Sequence, residues 1–166
     1  TGEERLFWRT LAFACVFWVV TLAAIALVPA AQWRWVDDVW VDAAYLFFYS
    51  PILFAAECKP HLAAPGPTSD VERQLRWAGV TVLVTGWFLY FVVAPAVADP
   101  AFFGTMLPSA LLFVTLDAAI VTRFVWRAYS SGSTRWRVLY GTIALAGASL
   151  LLTDTFDALE GLGWRA

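Results

Sequence analysis

The sequence predicts an all-α integral membrane protein: a bundle of five transmembrane helices with its N-terminus in the cytoplasm. Three observations carry that expectation. Of 166 residues, 61% are hydrophobic and only 14% are charged, with a mean hydropathy of +0.68, whereas a soluble domain carries about a quarter charged residues. The apolar residues fall in long blocks, several near the ~20 residues that a helix needs to cross a bilayer. The basic residues are segregated by loop, the pattern that orients multi-pass proteins.

The chain reads as a single membrane domain over 1–166. The first helix is predicted over 6–28 and stops at Pro29, since proline cannot continue the hydrogen-bond ladder. The second is predicted over 35–56. Asp37, Asp38 and Asp42 crowd its start and Pro51 interrupts it, which a membrane helix tolerates where its neighbours satisfy the freed carbonyl. The third, fourth and fifth are predicted over 77–98, 105–126 and 136–156. Connections are short except 58–72, which carries Pro60, Pro65, Gly66 and Pro67. No repeat and no separate soluble domain is visible.

Nine of the eleven basic residues fall on one side of these spans: Arg5, Arg9, Lys59, Arg73, Arg76, Arg123, Arg127, Arg135 and Arg137. Only Arg34 and Arg165 fall on the other. The bias places the N-terminus inside and, after five crossings, the C-terminus outside. Trp33, Trp35 and Trp40 then mark the outer edge, and Trp8, Trp77, Trp126 and Trp136 the inner edge, at headgroup level. Trp18 and Trp87 are mid-span and expected to pack between helices or face lipid.

Composition also excludes whole classes of function. A net charge of −2 leaves no basic footprint for nucleic acid. Cys15 and Cys58 stand too far apart in sequence for a zinc module or disulfide framework. His61 is the sole histidine, so no bis-histidine haem site can form. Lys59 is the sole lysine and sits at a helix end, not deep in a span as a retinal Schiff base would need. No nucleophile, base and acid arrangement is present, so no catalytic residue, metal or cofactor is assigned and the chain is expected not to be an enzyme. It opens Thr1-Gly2-Glu3-Glu4 without Met or signal peptide, and so reads as a segment of something longer.

The acids are distributed unlike the bases. Asp37, Asp38, Asp42, Asp99, Asp154, Asp157 and Glu160 gather toward the outer side, as a solvated rim or as a polar pocket opening outward. Asp42, Tyr45 and Tyr49, spaced by three and four, share one helical face. Such a polar stripe should turn to the bundle interior, as helix-packing glue or as part of a ligand site. Asp117 is the sharpest single signal. A carboxylate at the bilayer centre costs about 2.5–3.5 kcal/mol or more, so it should be partnered, hydrated or protonated. Arg123 is six positions away on a different face, which leaves Tyr45, Tyr49, Thr81 and Thr85 as candidate partners from other helices. Asp154 and Asp157 share a face and, with Asp42, would suit a hard cation. Gly141, Ala144, Gly147 and Ala148 suit close helix packing.

Residues 42–51, an acid followed by Tyr-Leu-x-x-Tyr-x-Pro, resemble a multi-pass bacterial sensor region that precedes GGDEF/EAL cyclic-di-GMP enzymes and some histidine kinases. Similar too are Glu4-Arg5-Leu6-Phe7-Trp8-Arg9 opening a helix, Gly86-Trp87 before Pro95, Asp117 ahead of Arg123, and a leucine-rich helix ending in Asp154 with Phe156 and Leu159 beyond it. No GGDEF, EAL or kinase sequence stands in these residues. The resemblance therefore implies an input module of a signalling protein in the bacterial inner membrane. Its expected ligand site is an outward-facing polar cavity around Asp42, Tyr45, Tyr49, Asp117 and Asp154. Its partners would be membrane lipids, other membrane subunits, a second copy of the chain, or a covalently linked cytoplasmic output domain, which a C-terminus on the outside would reach only through at least one further helix. The alternative is a non-catalytic accessory subunit that packs lipid, pigment or other subunits within a larger membrane complex.

Overall fold

A computed structural model describes residues 2–27, 38–60, 70–93 and 107–164. They form five helices: α1 (Gly2–Leu27), α2 (Asp38–Glu57), α3 (Asp70–Phe88), α4 (Leu107–Ser130) and α5 (Thr134–Gly161). A π-helical turn, Leu89–Val93, continues α3. Among the described residues two helical segments are long and apolar enough to cross a membrane, Gly2–Ala24 and Thr134–Gly161, and Ala43–Glu57 is a shorter apolar helix. Arg34, Asp37, His61, Asp99, Trp33, Trp35 and Arg165 lie outside the described residues, as do the side chains of Asp38, Trp40 and Asp42.

The number and order of helices match the expectation, and the differences lie at their ends. Helix α3 starts at Asp70, seven residues before the apolar block that announces it. Glu, Gln and Arg continue a helix as readily as apolar residues do, Asp70 stands in the first turn where an acid favours the helix dipole, and Arg73 bridges back to it at 2.7 Å, three residues apart on one face. Helices α4 and α5 are longer than their apolar cores for the same reason, so that only residues 131–133 join them. Helix α2 runs through Pro51 without stopping.

The chain forms two compact units, Thr1–Pro65 and Gly66–Ala166, each described by itself. In the first, α1 and α2 pack antiparallel. The Lys59 backbone N–H donates to Glu3 Oε2 at 3.0 Å at one end. Farther along, the Trp18 ring lies against Phe48 at 4.5 Å and Tyr45 at 5.1 Å. Phe7, Ala14, Leu46 and Ala55 are fully buried in this seam.

In the second unit α4 packs along α5 and, less extensively, against α3. On α4 the inward positions are Ala110, Phe113, Asp117, Ile120, Phe124 and Arg127, separated by alternating steps of three and four, and Ser131 just beyond the helix continues the series. On α5 they are Tyr140, Ala144, Gly147, Leu151, Asp154 and Ala158. Both series repeat every seven residues, the period that keeps two helices in contact over many turns. Gly147 admits the close approach: a Cβ there would meet Val121 Cγ2 at 3.2 Å and Ile120 Cγ2 at 3.4 Å. Gly141, expected to do the same, has open space beside it.

The outer faces are apolar. Val16, Val19 and Leu145 are 62%, 63% and 70% exposed. The exposed hydroxyls of Thr10, Thr115, Thr142, Ser149 and Thr153 each donate to the carbonyl four residues back in their own helix, at 2.8 to 3.1 Å. That habit meets the polarity of these five hydroxyls.

Candidate functional site

Among the described residues, the α4–α5 seam holds a fully buried carboxylate. Asp117 is completely buried, beside Leu116 at 0% exposure and Ile120 at 4%. Its burial follows from the seven-residue period: three residues separate it from Ile120 and seven from Phe124, both inward.

Registry across the antiparallel pair sets what lies near it. Phe124 meets Tyr140, ring centroids 6.1 Å apart, and Gly147 faces Ile120 and Val121. Asp154 is seven residues beyond Gly147 on α5, and Asp117 lies three before Ile120 on α4, in the same direction along the seam. At 1.5 Å per residue the two acids differ in level by roughly 5–6 Å. Asp154 is half-buried and Asp157 exposed. Among the described residues no group of three or more metal-ligating side chains stands together.

Two arginines follow Asp117 toward the interhelical turn, Arg123 at 3% exposure and Arg127 at 2%. Sequence reasoning placed them at the membrane edge as topology markers and set Arg123 on a face apart from Asp117. Both are buried because α4 is covered from two directions. Leu112 approaches Gly86 of α3, while Ile120 and Val121 face Gly147 of α5, so the buried arc is wide. The spacing Asp117, Ile120, Phe124, Arg127 is the signal that would have found Arg127. At the turn itself Arg137 Nη2 donates to the Ser131 carbonyl at 3.1 Å.

Trp136, expected at the inner membrane edge, is buried within the protein. It is 7% exposed, packs on Tyr140 at 5.7 Å and carries Arg135 over its ring at 5.6 Å. Its position inside the seam, four residues before Tyr140, accounts for the difference.

The other expected residues are distributed as follows. Thr81 and Thr85, candidate partners of Asp117, are exposed on α3. Tyr45 and Tyr49 belong to the first unit, where Tyr49 is 4% exposed and Tyr45 lies against Trp18, so the phenol stripe does turn inward. The backbone of Asp42 continues that stripe on α2. Of the five expected site residues, Asp117 and Asp154 thus share the α4–α5 seam, and Asp42, Tyr45 and Tyr49 share α2. Comparison with known protein families, curated proteins and solved structures returns no match.

Proposed function

We propose that this chain is a multi-spanning protein of the bacterial inner membrane that serves as a signal-input module, with the α4–α5 seam around Asp117 and Asp154 as its responsive element. The observation that carries this reading is the complete burial of Asp117 beside a helix apolar enough to cross a membrane. An ionisable group at such depth is expensive and marks a ligand, ion or proton site by default. A purely structural seam gains little from it, since well-packed apolar residues in place of buried charges are often neutral or stabilising. The same argument weighs against an accessory subunit that only packs against its neighbours.

Five crossings also fit the outer surface. In lipid every polar group needs an internal partner, and the back-bonded hydroxyls on exposed faces meet that demand. Signalling would follow from differential affinity: a ligand or proton that favours one packing of α4 on α5 shifts the population toward it and moves the cytoplasmic attachments.

The test is a reporter assay on the native full-length protein. Asp117→Asn is expected to change output strongly, Asp154→Asn to a lesser degree, and Asp99→Asn least. Equal and negligible effects would remove the seam as a responsive element. The mass of the native polypeptide separates the alternatives. A mass tens of kilodaltons above 18.4 kDa means an attached output domain, and a mass near that value favours the accessory subunit.

A further inference from the structure

Helix α1 opens with a second feature, unrelated to the acidic seam. Glu4, Arg5, Trp8 and Arg9 line a shallow, open cleft on the surface of this helix. Arg5 and Arg9 are exposed, and among the described residues neither guanidinium enters an ion pair. They lie four residues apart, so their Cβ atoms are about 5–6 Å from one another on one face, a separation from which two guanidinium forks can converge on one phosphate.

That face does not end at Arg9. Continuing by steps of four, three and four, it carries Phe13, Val16 and Val20, at 58%, 62% and 60% exposure. From Arg9 to Val20 the stripe runs about 16 Å at the helical rise, and one leaflet contributes about 15 Å of hydrocarbon. A basic cleft with a leaflet-length apolar track below it matches a phosphodiester head with its acyl chains. Trp8, 39% exposed, lies at the level indoles prefer beside headgroups. Charge selects further: two arginines against Glu4 leave one net positive charge, which complements a headgroup carrying a phosphodiester and no ammonium.

We propose that the Arg5, Trp8 and Arg9 cleft with the Phe13, Val16 and Val20 track is a binding site for one anionic phospholipid of the cytoplasmic leaflet. This rests on the membrane reading above and concerns a different part of the chain.

The full chain, reconstituted in nanodiscs of phosphatidylcholine doped with phosphatidylglycerol, is tested for retained lipid by native mass spectrometry. The wild type is expected to retain phosphatidylglycerol in preference to phosphatidylcholine. The double variant Arg5→Gln/Arg9→Gln should lose about thirtyfold in that preference, the effect of two basic residues at an anionic surface. Arg135→Gln, at another basic position, should leave it unchanged. Millimolar inorganic phosphate should not displace the lipid; displacement would assign the cleft to free phosphate and overturn the proposal. So would equal retention of both lipids, or a double variant that behaves as the wild type. Alkaline carbonate extraction of the same protein from native membranes reads insertion separately. Release there sinks the membrane reading itself, whereas insertion without lipid preference sinks only this site.

Discussion

Lys59 and Glu3 meet through a single hydrogen bond, backbone N–H to Oε2 at 3.0 Å, across 56 residues of sequence. The contact puts Arg5, Arg9 and Lys59 at one end of the α1–α2 hairpin. In the second unit the approach of Gly86 to Leu112 and the three-residue turn after α4 do the same for Arg73, Arg76, Arg123, Arg127, Arg135 and Arg137. Each unit therefore gathers its described basic residues at one end, in the first unit together with Glu3, Glu4 and Glu57.

From that polarity follows a labelling pattern. Gly132 lies exposed in the α4–α5 turn, and a Cβ added there meets nothing within 4 Å. The thiol of Gly132→Cys should react with a membrane-impermeant maleimide in inverted vesicles and not in intact spheroplasts. The native thiols should stay silent in both. Cys15 is exposed on the protein but thirteen residues into α1, where the proposed span would shield it in lipid. Cys58 is buried and its Sγ donates to the Phe54 carbonyl at 3.8 Å. Labelling of Gly132→Cys from the outer side would invert the orientation.

A charge on the outer face of α5 tests which solvent it meets. Leu145 is 70% exposed. In water Leu145→Arg would fall within about ±0.5 kcal/mol of the wild type; at bilayer depth it should cost about 2.5–3.5 kcal/mol. A glycosylation-reporter measurement of α5 insertion reads this directly. An unchanged inserted fraction would contradict α5 as a lipid-facing span.

Two glycines should respond in the order opposite to their apparent crowding. A Cβ at Gly86 would come within 2.5 Å of Leu112 Cδ1, the mobile end of a flexible side chain that can turn aside. At Gly147 the contacts are longer, 3.2 and 3.4 Å, but they are to the branched Val121 and Ile120, stiff at χ1. Gly86→Ala is expected within about 1 kcal/mol of the wild type, whereas Gly147→Ala should destabilise by about 1–3 kcal/mol through overpacking. Thermal melting in detergent checks the order; a Gly147→Ala variant as stable as the wild type would mean that α4 and α5 are not in this register.

Tyr140 anchors the basic half of the seam, fully buried between Phe124 and Trp136. Tyr140→Ala should leave a cavity of roughly 100 Å³ and cost about 2–3 kcal/mol by that term alone. The loss should appear as earlier melting of α4–α5, seen by hydrogen exchange at those helices. Uniform exchange across the chain would deny the hairpin its separate packing.

How far the sequence could be read depended on which force set each feature. The five helices were legible because apolar blocks must be long, and the block centred on Phe13 or Leu145 can hardly be anything else. Their ends were less legible, because Asp70 to Arg76 extend α3 through backbone propensity and a local ion pair, neither of which shows in hydropathy. Asp117 stood out since a lone acid among apolar residues has few excuses. Arg123 and Arg127 did not, because a basic residue at the end of a span also satisfies the loop-charge rule, and only the covering of α4 by both α3 and α5 decides between edge and interior. Thr81 and Thr85 look like partners by composition, but their own register on α3 turns them outward.

The π-helical turn at Leu89–Val93 has a consequence for how the chain tolerates changes of length. A π turn holds one residue more than the α turn it replaces, because its hydrogen bonds reach one residue farther. Loss of one residue inside 89–93 is therefore expected to convert the turn to ordinary α-helix without disturbing α3 before it. Elsewhere in α3, α4 or α5 the same deletion rotates everything beyond it by about 100°, one residue of helix, and turns the seam to the wrong face. A helix rarely absorbs an indel; this turn is expected to, and it lies at the far end of α3 from Arg73 and Arg76.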